Sequence, residues 1–266
     1  MALRAFISNW GVGVSLWDEL SLATFHNIWQ QPNLLRAIVN SMAIGIIGGA
    51  LAVICYLFVG IAMHRKADNV TRFLDYSVLV PRAVPGLLAG LAFLWVFLFV
   101  PMWLDQSLKH GWLSALPVAD WLREHLIVQL RALRNTIFSV WLAYTVVWMA
   151  YGLRLISSTL LQVGPELEEA ARSTGASRGQ ITRHVTVPLS RYGLIGSWLL
   201  MFLFFEREYF TGVYLLSPGT ETIGSMLVSL WAAGAIDIVA ALSFINILLV
   251  VIGLGIALRF GVKLHD

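Results

Sequence analysis

The chain alternates long uncharged stretches with short polar segments, and the uncharged stretches have the length of membrane-spanning helices. About 20 consecutive apolar residues cross the hydrocarbon core of a bilayer as an α-helix. Isolated strands cannot satisfy their backbone hydrogen bonds in lipid, so each stretch predicts a helix. The predicted spans are Ala37–Met63, Ala83–Leu104, Asn135–Leu153, Tyr192–Phe205 and Ile238–Leu258. The predicted fold class is therefore all-α, a polytopic transmembrane helix bundle with five spans.

One of these stretches, Tyr192–Phe205, has only 14 uncharged residues before Glu206, Arg207 and Glu208, and apolar residues resume at Tyr209. We therefore expect ionisable groups in or near the outer half of this span. Another uncharged stretch, 222–236, predicts an interfacial or partly buried helix. Gly45 with Gly49, and Gly86 with Gly90, have the spacing that lets helices approach closely, although the ordinary glycine content of membrane helices explains them equally well.

Composition supports a bilayer as the solvent. The chain is 58% hydrophobic and 12% charged, whereas soluble domains have about 25% charged residues. The net charge of +3 is dispersed, and the basic face that nucleic-acid binding requires is not evident. The single cysteine, Cys55, has no second cysteine for an internal disulfide.

Lysine and arginine are enriched in cytoplasmic loops of membrane proteins, which gives an orientation. A cytoplasmic 154–191 loop places eleven of these residues on its own side of the membrane and seven on the other. The same orientation makes the C-terminus cytoplasmic and the N-terminus external.

Residues 1–36 are predicted to form a periplasmic or interfacial segment, and 37–266 the transmembrane domain. The first segment lacks the basic and apolar regions of a signal peptide and contains Trp10, Trp17 and Trp29, which suit a membrane interface. We therefore expect a further span upstream, in a longer or fused polypeptide. The alternative is a segment on the membrane surface with an inverted or irregular topology.

The polar loop of about 160–191 has the pattern of two short helices joined by a tight turn. Pro165 starts the first helix, and Glu166, Glu168 and Glu169 complement the positive end of its dipole. Gly175 occupies the position of a left-handed helix stop. Ser177 is a candidate cap for a second helix over 178–185, and Pro188 closes the segment. The pattern predicts a rigid elbow between two spans.

This loop resembles the "EAA" loop of the permease subunits of ABC importers. The motif is Glu-Ala-Ala, three residues, Gly, nine residues, an aliphatic residue, one residue, a second aliphatic residue and Pro. The matching positions are Glu169, Ala170, Ala171, Gly175, Val185, Val187 and Pro188. Valine replaces the usual Ile and Leu. The segment Val80–Gly86 is similar to the proline-bracketed start of the family's third span, and the layout from Asn40 onward matches five of the usual six spans.

The resemblance implies a mechanism and a set of partners. The seven motif residues would couple this chain to a cytoplasmic ABC ATPase, which holds ATP and Mg²⁺. A periplasmic binding protein would deliver the substrate, and a second permease half or subunit would complete the path. The sequence has no G-x-x-x-x-G-K-[ST] motif, so we expect a transport subunit of the bacterial inner membrane that is not an enzyme and carries no cofactor or metal of its own.

Glu206 and Glu208 are the candidates for the translocation path, because ionisable residues at membrane depth are expensive and usually face water or a bundle interior. On a helix they would point about 200° apart, so only one of them would line the path. The alternative is that the span ends at Phe205 and leaves both at the interface.

The stretch 209–223 resembles the ferric-iron branch of the family and makes ferric iron the expected substrate. A phosphonate, a polyamine, thiamine or another small solute is the alternative. Two other classes compete with a transporter. An intramembrane enzyme would need paired catalytic residues in its spans, and Asp237 lacks such a partner. A structural or assembly protein of the membrane needs no elbow with this spacing.

Overall fold

The computed structural model describes residues 3–7, 19–64 and 69–259, except for the side chains of 256–258. Trp10, Trp17, Arg65, Lys66 and the residues after 259 therefore lie outside the described part. The α-helices are α1 Ala23–Gln30, α2 Pro32–Ala43, α3 Gly49–Met63, α4 Asn69–Ala83, α5 Gly86–His110, α6 Ala119–Leu122, α7 Val128–Leu133, α8 Ile137–Val147, α9 Met149–Leu161, α10 Pro165–Ser173, α11 Arg178–Ile181, α12 Val187–Leu189, α13 Arg191–Arg207, α14 Ile223–Ala232 and α15 Ile236–Arg259.

The described residues form no β-strand, only an isolated bridge between Ile7 and Leu20, so the all-α prediction is confirmed. In the described part of the chain, three stretches are long and apolar enough to cross a membrane: Pro32–Met63, Gly86–His110 and Ile236–Gly255. Two helix pairs add two more if each counts as one bent span: α8 with α9, bent by 61°, and 178–189 with α13, bent by 69°. The five predicted spans correspond to these five segments. Helix α14 is the short helix expected at 222–236.

The boundaries differ from the prediction where a charge or a proline is accommodated. Helix α5 begins after Pro85 and continues past Asp105. The carboxylate of Asp105 forms ion pairs with Arg123 and Arg131, each at 3.0 Å. Pro81 lies inside α4, and the helix ends at Ala83, shortly before Pro85, because a proline disfavours the helical conformation of the residue that precedes it. The predicted domain boundary at residue 37 lies within α2.

The chain divides into two compact units, and the first comprises 1–42, 85–144 and 207–249. Phe6, Phe25 and Phe244 form an aromatic group with ring centroids 5.0–6.0 Å apart. They surround a core of Ala5, Ile28, Leu34, Ile223, Ala240, Ala241 and Leu242. Arg4 pairs with Asp237 at 2.8 Å and Arg36 with Glu221 at 3.2 Å. These contacts attach the described N-terminal residues to the C-terminal helices of the same unit.

The glycine pair at 86 and 90 belongs to this first unit and marks a close approach. A β-carbon on Gly90 would overlap the carbonyl oxygen of Thr211, and one on Gly86 would lie 3.2 Å from Phe210 Cβ. Glycine is therefore required for α5 to pack against the loop after α13.

The second unit comprises 43–84, 145–206 and 250–266. Helices α3 and α9 pack together, with Tyr56 donating a 2.6 Å hydrogen bond to the carbonyl of Thr145. A β-carbon on Gly49 would lie 3.4 Å from the backbone nitrogen of Phe202, so α13 also lies close. Between α2 and α3 the helix forms a π turn, Ile44–Gly48, and Trp198 donates its indole N–H to the carbonyl of Ile46 at 2.9 Å. The specific-interface reading of Gly45 and Gly49 fits these contacts.

Candidate functional site

The elbow consists of α10 and a second helical segment, 178–189, joined by a four-residue turn. Gly175 has φ +86°, and its N–H bonds to the carbonyl of Arg172 at 3.0 Å, while the N–H of Ala176 bonds to that of Ala171 at 3.2 Å. These two bonds form a Schellman motif, which satisfies the carbonyls at the end of the helix. The predicted helix stop at Gly175 is confirmed.

Ser177 caps the second segment, as predicted. Its hydroxyl accepts the N–H of Gln180, and the Gln180 side chain accepts the N–H of Ser177 at 2.8 Å. The segment continues four residues beyond the predicted end at Val185, through a π turn at Thr182–Thr186, to Leu189. Pro188 therefore lies inside its last turn. Proline has no backbone N–H and would leave one hydrogen bond of a regular α-helix unmade. The π turn directly before the proline has i to i+5 hydrogen bonds instead, which changes the regular α-helical pattern at this point.

The structure brings part of the motif together. Ala171, Gly175 and Val185 line a concavity of about 420 Å³ between the two helices of the elbow. Glu169 and Ala170 are exposed on α10 beside it. Val187 is half-buried and Pro188 is exposed, and neither lines the concavity.

The outer surface of the elbow combines basic and apolar side chains. Arg172, Arg178 and Arg183 are exposed. Leu167 is 51% exposed on α10, beside the acidic first turn of that helix. A single exposed leucine is ordinary on a protein surface and does not by itself mark an interface.

A buried carboxylate holds the base of the elbow. Glu168 is 6% exposed, and its Oε1 lies 3.1 Å from Nε2 of His64 and accepts the hydroxyl of Thr186 at 3.0 Å. His64 ends α3, Glu168 belongs to α10 and Thr186 to the π turn. One side chain therefore connects three segments of the second unit.

The contact role of Glu168 was not predicted from the sequence, because all three glutamates of α10 were assigned alike to the positive end of the helix dipole. The helical period offers one usable signal: Glu168 and Ala171 are three residues apart and share a face. That face is the one that turns inward, whereas Glu166 and Glu169 are exposed.

Glu206 is the second buried carboxylate of the second unit. It lies one residue before the end of α13 and is 4% exposed. Neither carboxylate oxygen has a hydrogen-bond partner among the described residues. A β-carbon on Gly45, in the π turn, would lie 3.6 Å from Oε2 of Glu206 and 2.8 Å from Cδ2 of Phe202. The glycine therefore leaves room for both side chains.

Glu208 has different surroundings from Glu206. Helix α13 ends at Arg207, so the 200° separation expected on a continuous helix does not apply. Glu208 is 9% exposed, and its Oε1 accepts the backbone N–H and the hydroxyl of Thr211 at 3.0 Å each. Tyr144 donates to its carbonyl at 2.6 Å. These bonds give Glu208 a structural role in the turn after α13.

The described residues contain no group of three or more His, Cys, Asp or Glu side chains arranged to hold a metal ion. The candidate site thus consists of the elbow with its buried anchor at Glu168, and of the solitary carboxylate of Glu206.

Comparisons with known proteins agree with this architecture. The chain is 24% identical over 209 residues to a protein named as a 2-aminoethylphosphonate transport system permease of Salmonella paratyphi A, covering 79% of this chain and 68% of the relative. It is 22% identical over 222 residues to the putrescine transport system permease protein of Escherichia coli, covering 81% and 68%.

Two solved structures share the fold. An ABC transporter that imports alginate matches with a TM-score of 0.73 and 15% identity, over 100% of this chain and 88% of that chain. The inward-facing MetNI methionine ABC transporter matches with a TM-score of 0.62 and 17% identity, over 88% and 96%.

Residues 56–265 match the family described as binding-protein-dependent transport system inner membrane component. The match includes the whole elbow and the three buried glutamates, Glu168, Glu206 and Glu208, and it confirms the resemblance to ABC importer permeases at the level of the family. The chain belongs to the family of inner membrane components of binding-protein-dependent transport systems.

Proposed function

We propose that this permease subunit moves an amine-bearing small solute into the cytoplasm, driven by ATP hydrolysis on a separate ATPase subunit that docks on the elbow. The geometry of the elbow is the observation that supports docking of the ATPase subunit. Two capped helices border an open concavity lined in part by motif residues, and Glu168 anchors them to the end of α3. A movement of the elbow would therefore be transmitted directly to the span that contains α3.

The proposed orientation follows from the charges. The exposed arginines of the elbow belong to the Lys- and Arg-rich side, which is cytoplasmic in membrane proteins. The exposed Leu167 and the small side chain of Ala170 give a soluble partner apolar contact and access to the helix backbone. A binding protein would then deliver substrate on the opposite face, and a second permease subunit or half would complete the path.

The substrate class rests on the relatives. The two relatives above are named as permeases of transport systems for 2-aminoethylphosphonate and for putrescine, and both compounds carry a primary amine. Ferric iron is supported only by the likeness of 209–223 to the iron branch. An iron ion prefers several oxygen, nitrogen or sulfur ligands, and the described residues offer no group of three. We therefore favour the amine.

Charge reversal and helix breaking in the elbow test the proposal. Glu169→Arg and Gly175→Pro should insert into the membrane normally, but ATP hydrolysis should no longer drive uptake. Proline cannot adopt the φ of +86° found at Gly175, because its ring fixes φ near −65°. The readouts are membrane content, ATPase activity and putrescine uptake in proteoliposomes. Glu124→Arg, an exposed charge reversal outside the elbow, is the control. Normal uptake by both elbow variants would refute the docking role.

A further inference from the structure

We infer that Glu206 is the residue of the translocation path that binds the ammonium group of the substrate. This inference rests on the proposed function and adds a binding residue and its ligand chemistry. The carboxyl side chain of Glu206 is 4% exposed, and neither of its oxygens has a hydrogen-bond partner among the described residues. Buried polar groups are nearly always hydrogen-bonded in proteins, so an unpartnered carboxyl group requires an explanation.

The environment of Glu206 favours a ligand over a structural role. The side chain lies near the end of α13, the helix that corresponds to the fourth predicted span, and ionisable residues within spans are rare and mark substrate or ion pathways. It faces the π turn Ile44–Gly48 through Gly45, and π turns within helices occur frequently at functional sites. Trp198 holds the carbonyl of Ile46 in that turn, so the backbone opposite the carboxyl group is fixed.

The other buried carboxylates among the described residues already have partners. Glu168 receives His64 and Thr186, and Glu208 receives the N–H and hydroxyl of Thr211. Glu206 differs from them in having its full hydrogen-bonding capacity free. A deprotonated carboxylate accepts several hydrogen bonds and carries one negative charge.

The charge and the ligand count select the chemical class. One carboxylate neutralises one positive charge, and a primary ammonium group offers three N–H donors. A multivalent metal ion needs several protein ligands, and the described residues contain no such group. A phosphonate or carboxylate group would be repelled. The ligand that fits is therefore the ammonium end of an amine-bearing solute.

The carboxylate is enclosed in this conformation. An ammonium group therefore reaches it when the spans open to one side of the membrane.

The experiment measures ATP-driven uptake of labelled putrescine and of 2-aminoethylphosphonate by the complete importer in proteoliposomes. The variants are Glu206→Gln, which removes the charge, and Glu206→Asp, which keeps it. Glu124→Gln neutralises an exposed carboxylate far along the chain from the elbow and is the control. Glu206→Gln should reduce uptake about tenfold or more, since the amide oxygen can still accept a hydrogen bond but the charge that pairs with the ammonium group is lost, and Glu206→Asp should recover part of the loss.

A binding readout separates ligand recognition from a folding defect. Putrescine should raise the unfolding temperature of the detergent-solubilised complex, without the binding protein, for the wild type and Glu206→Asp but not for Glu206→Gln. If the wild type imports an amine and Glu206→Gln imports it equally well, the inference is overturned and the proposed function stands. If the wild type imports neither amine, the proposed substrate class fails and the inference fails with it.

Discussion

Glu168 and Glu206 belong to the same compact unit and are almost equally buried, with 6% and 4% of their surfaces exposed. Their surroundings are opposite. Glu168 receives donors from the end of α3 and from the π turn of the elbow, whereas Glu206 receives none among the described residues. Equal burial therefore does not mean an equal role, because the free energy of a buried carboxylate depends on its partners.

The contrast assigns different functions to the two residues. A satisfied carboxylate fixes the relative positions of the segments that it joins, and Glu168 joins the elbow to a span. An unsatisfied carboxylate destabilises the fold and persists where it serves another purpose, as strained or unpaired groups at functional sites do. Variants at the two positions should therefore change stability in different directions.

The largest effect is expected from removing the anchor. Glu168→Ala leaves the imidazole of His64 and the hydroxyl of Thr186 without their carboxylate partner and should lower the free energy of unfolding by about 3 kcal/mol. Unfolding in detergent measures it. Glu169→Ala, on the exposed side of the same helix, should change stability by less than about 0.5 kcal/mol. Equal losses from the two variants would remove the distinction between buried and exposed faces of α10.

A smaller loss is expected from filling the space beside Glu206. The new β-carbon of Gly45→Ala would lie 2.8 Å from Cδ2 of Phe202, so the Phe202 ring or the helix must shift. Such overpacking costs about 1–3 kcal/mol. Gly196→Ala is the control, because a β-carbon there meets no atom within 4 Å and alanine favours helix by up to about 1 kcal/mol. A stable Gly45→Ala variant with normal amine uptake would show that the space near Glu206 is not constrained.

Replacing Glu206 by an apolar side chain should stabilise the protein. Glu206→Met keeps the length of the side chain and removes an unpartnered buried carboxyl group, which should raise the free energy of unfolding by about 1–2 kcal/mol. The same variant should lose amine uptake, so stability and activity would change in opposite directions. The unfolding midpoint and the uptake rate of one preparation give both values. A destabilised Glu206→Met variant would mean that the carboxyl group has a partner in the membrane.

The smallest effect concerns a carboxylate that is paired near the surface, outside the spans. Partial burial of Glu221 favours its protonated form, but hydrogen bonds from Arg36 and from the N–H of Gly219 outweigh this and hold the pKa of Glu221 below its usual value. Arg36 is half exposed, so we expect a contribution below about 1 kcal/mol. A lowered pKa stabilises the fold above the usual pKa of the carboxyl group, and the contribution is lost as the pH falls through the lowered value.

Thermal unfolding of the wild type and Arg36→Ala from neutral to acidic pH tests this sign. The difference between them should be largest at neutral pH and should shrink as Glu221 becomes protonated. A difference that grows towards acidic pH would contradict the assignment of the ion pair.

The sequence predicted the features that depend on local chemistry. Uncharged stretches located the spans, Gly175 the left-handed stop and Ser177 the cap, because each follows from propensities over a few residues. Features that depend on contacts between residues distant in the sequence were not predicted. Asp105 lies inside α5 because Arg123 and Arg131 reach it, and nothing local to α10 indicates that Glu168, and not Glu169, meets His64.

The difference between Glu206 and Glu208 could not be predicted for the same reason. The two residues are two positions apart on an assumed helix, so they were equivalent candidates for the translocation path except for the direction of their side chains. The end of α13 at Arg207 gives Glu208 to the turn and leaves Glu206 on the helix. The docking role of the motif residues and the identity of the solute stay predictions.

The contrast between the two glutamates is tested most directly by the unfolding midpoints of Glu168→Gln and Glu206→Gln, measured beside the wild type in one detergent. Both variants remove one charge and keep the shape of the side chain. We expect a clearly lower midpoint for Glu168→Gln, because the neutral amide oxygen accepts weaker hydrogen bonds from His64 and Thr186 than the carboxylate does. Glu206→Gln should have an unchanged or higher midpoint. A loss for Glu206→Gln as large as that for Glu168→Gln would contradict the account.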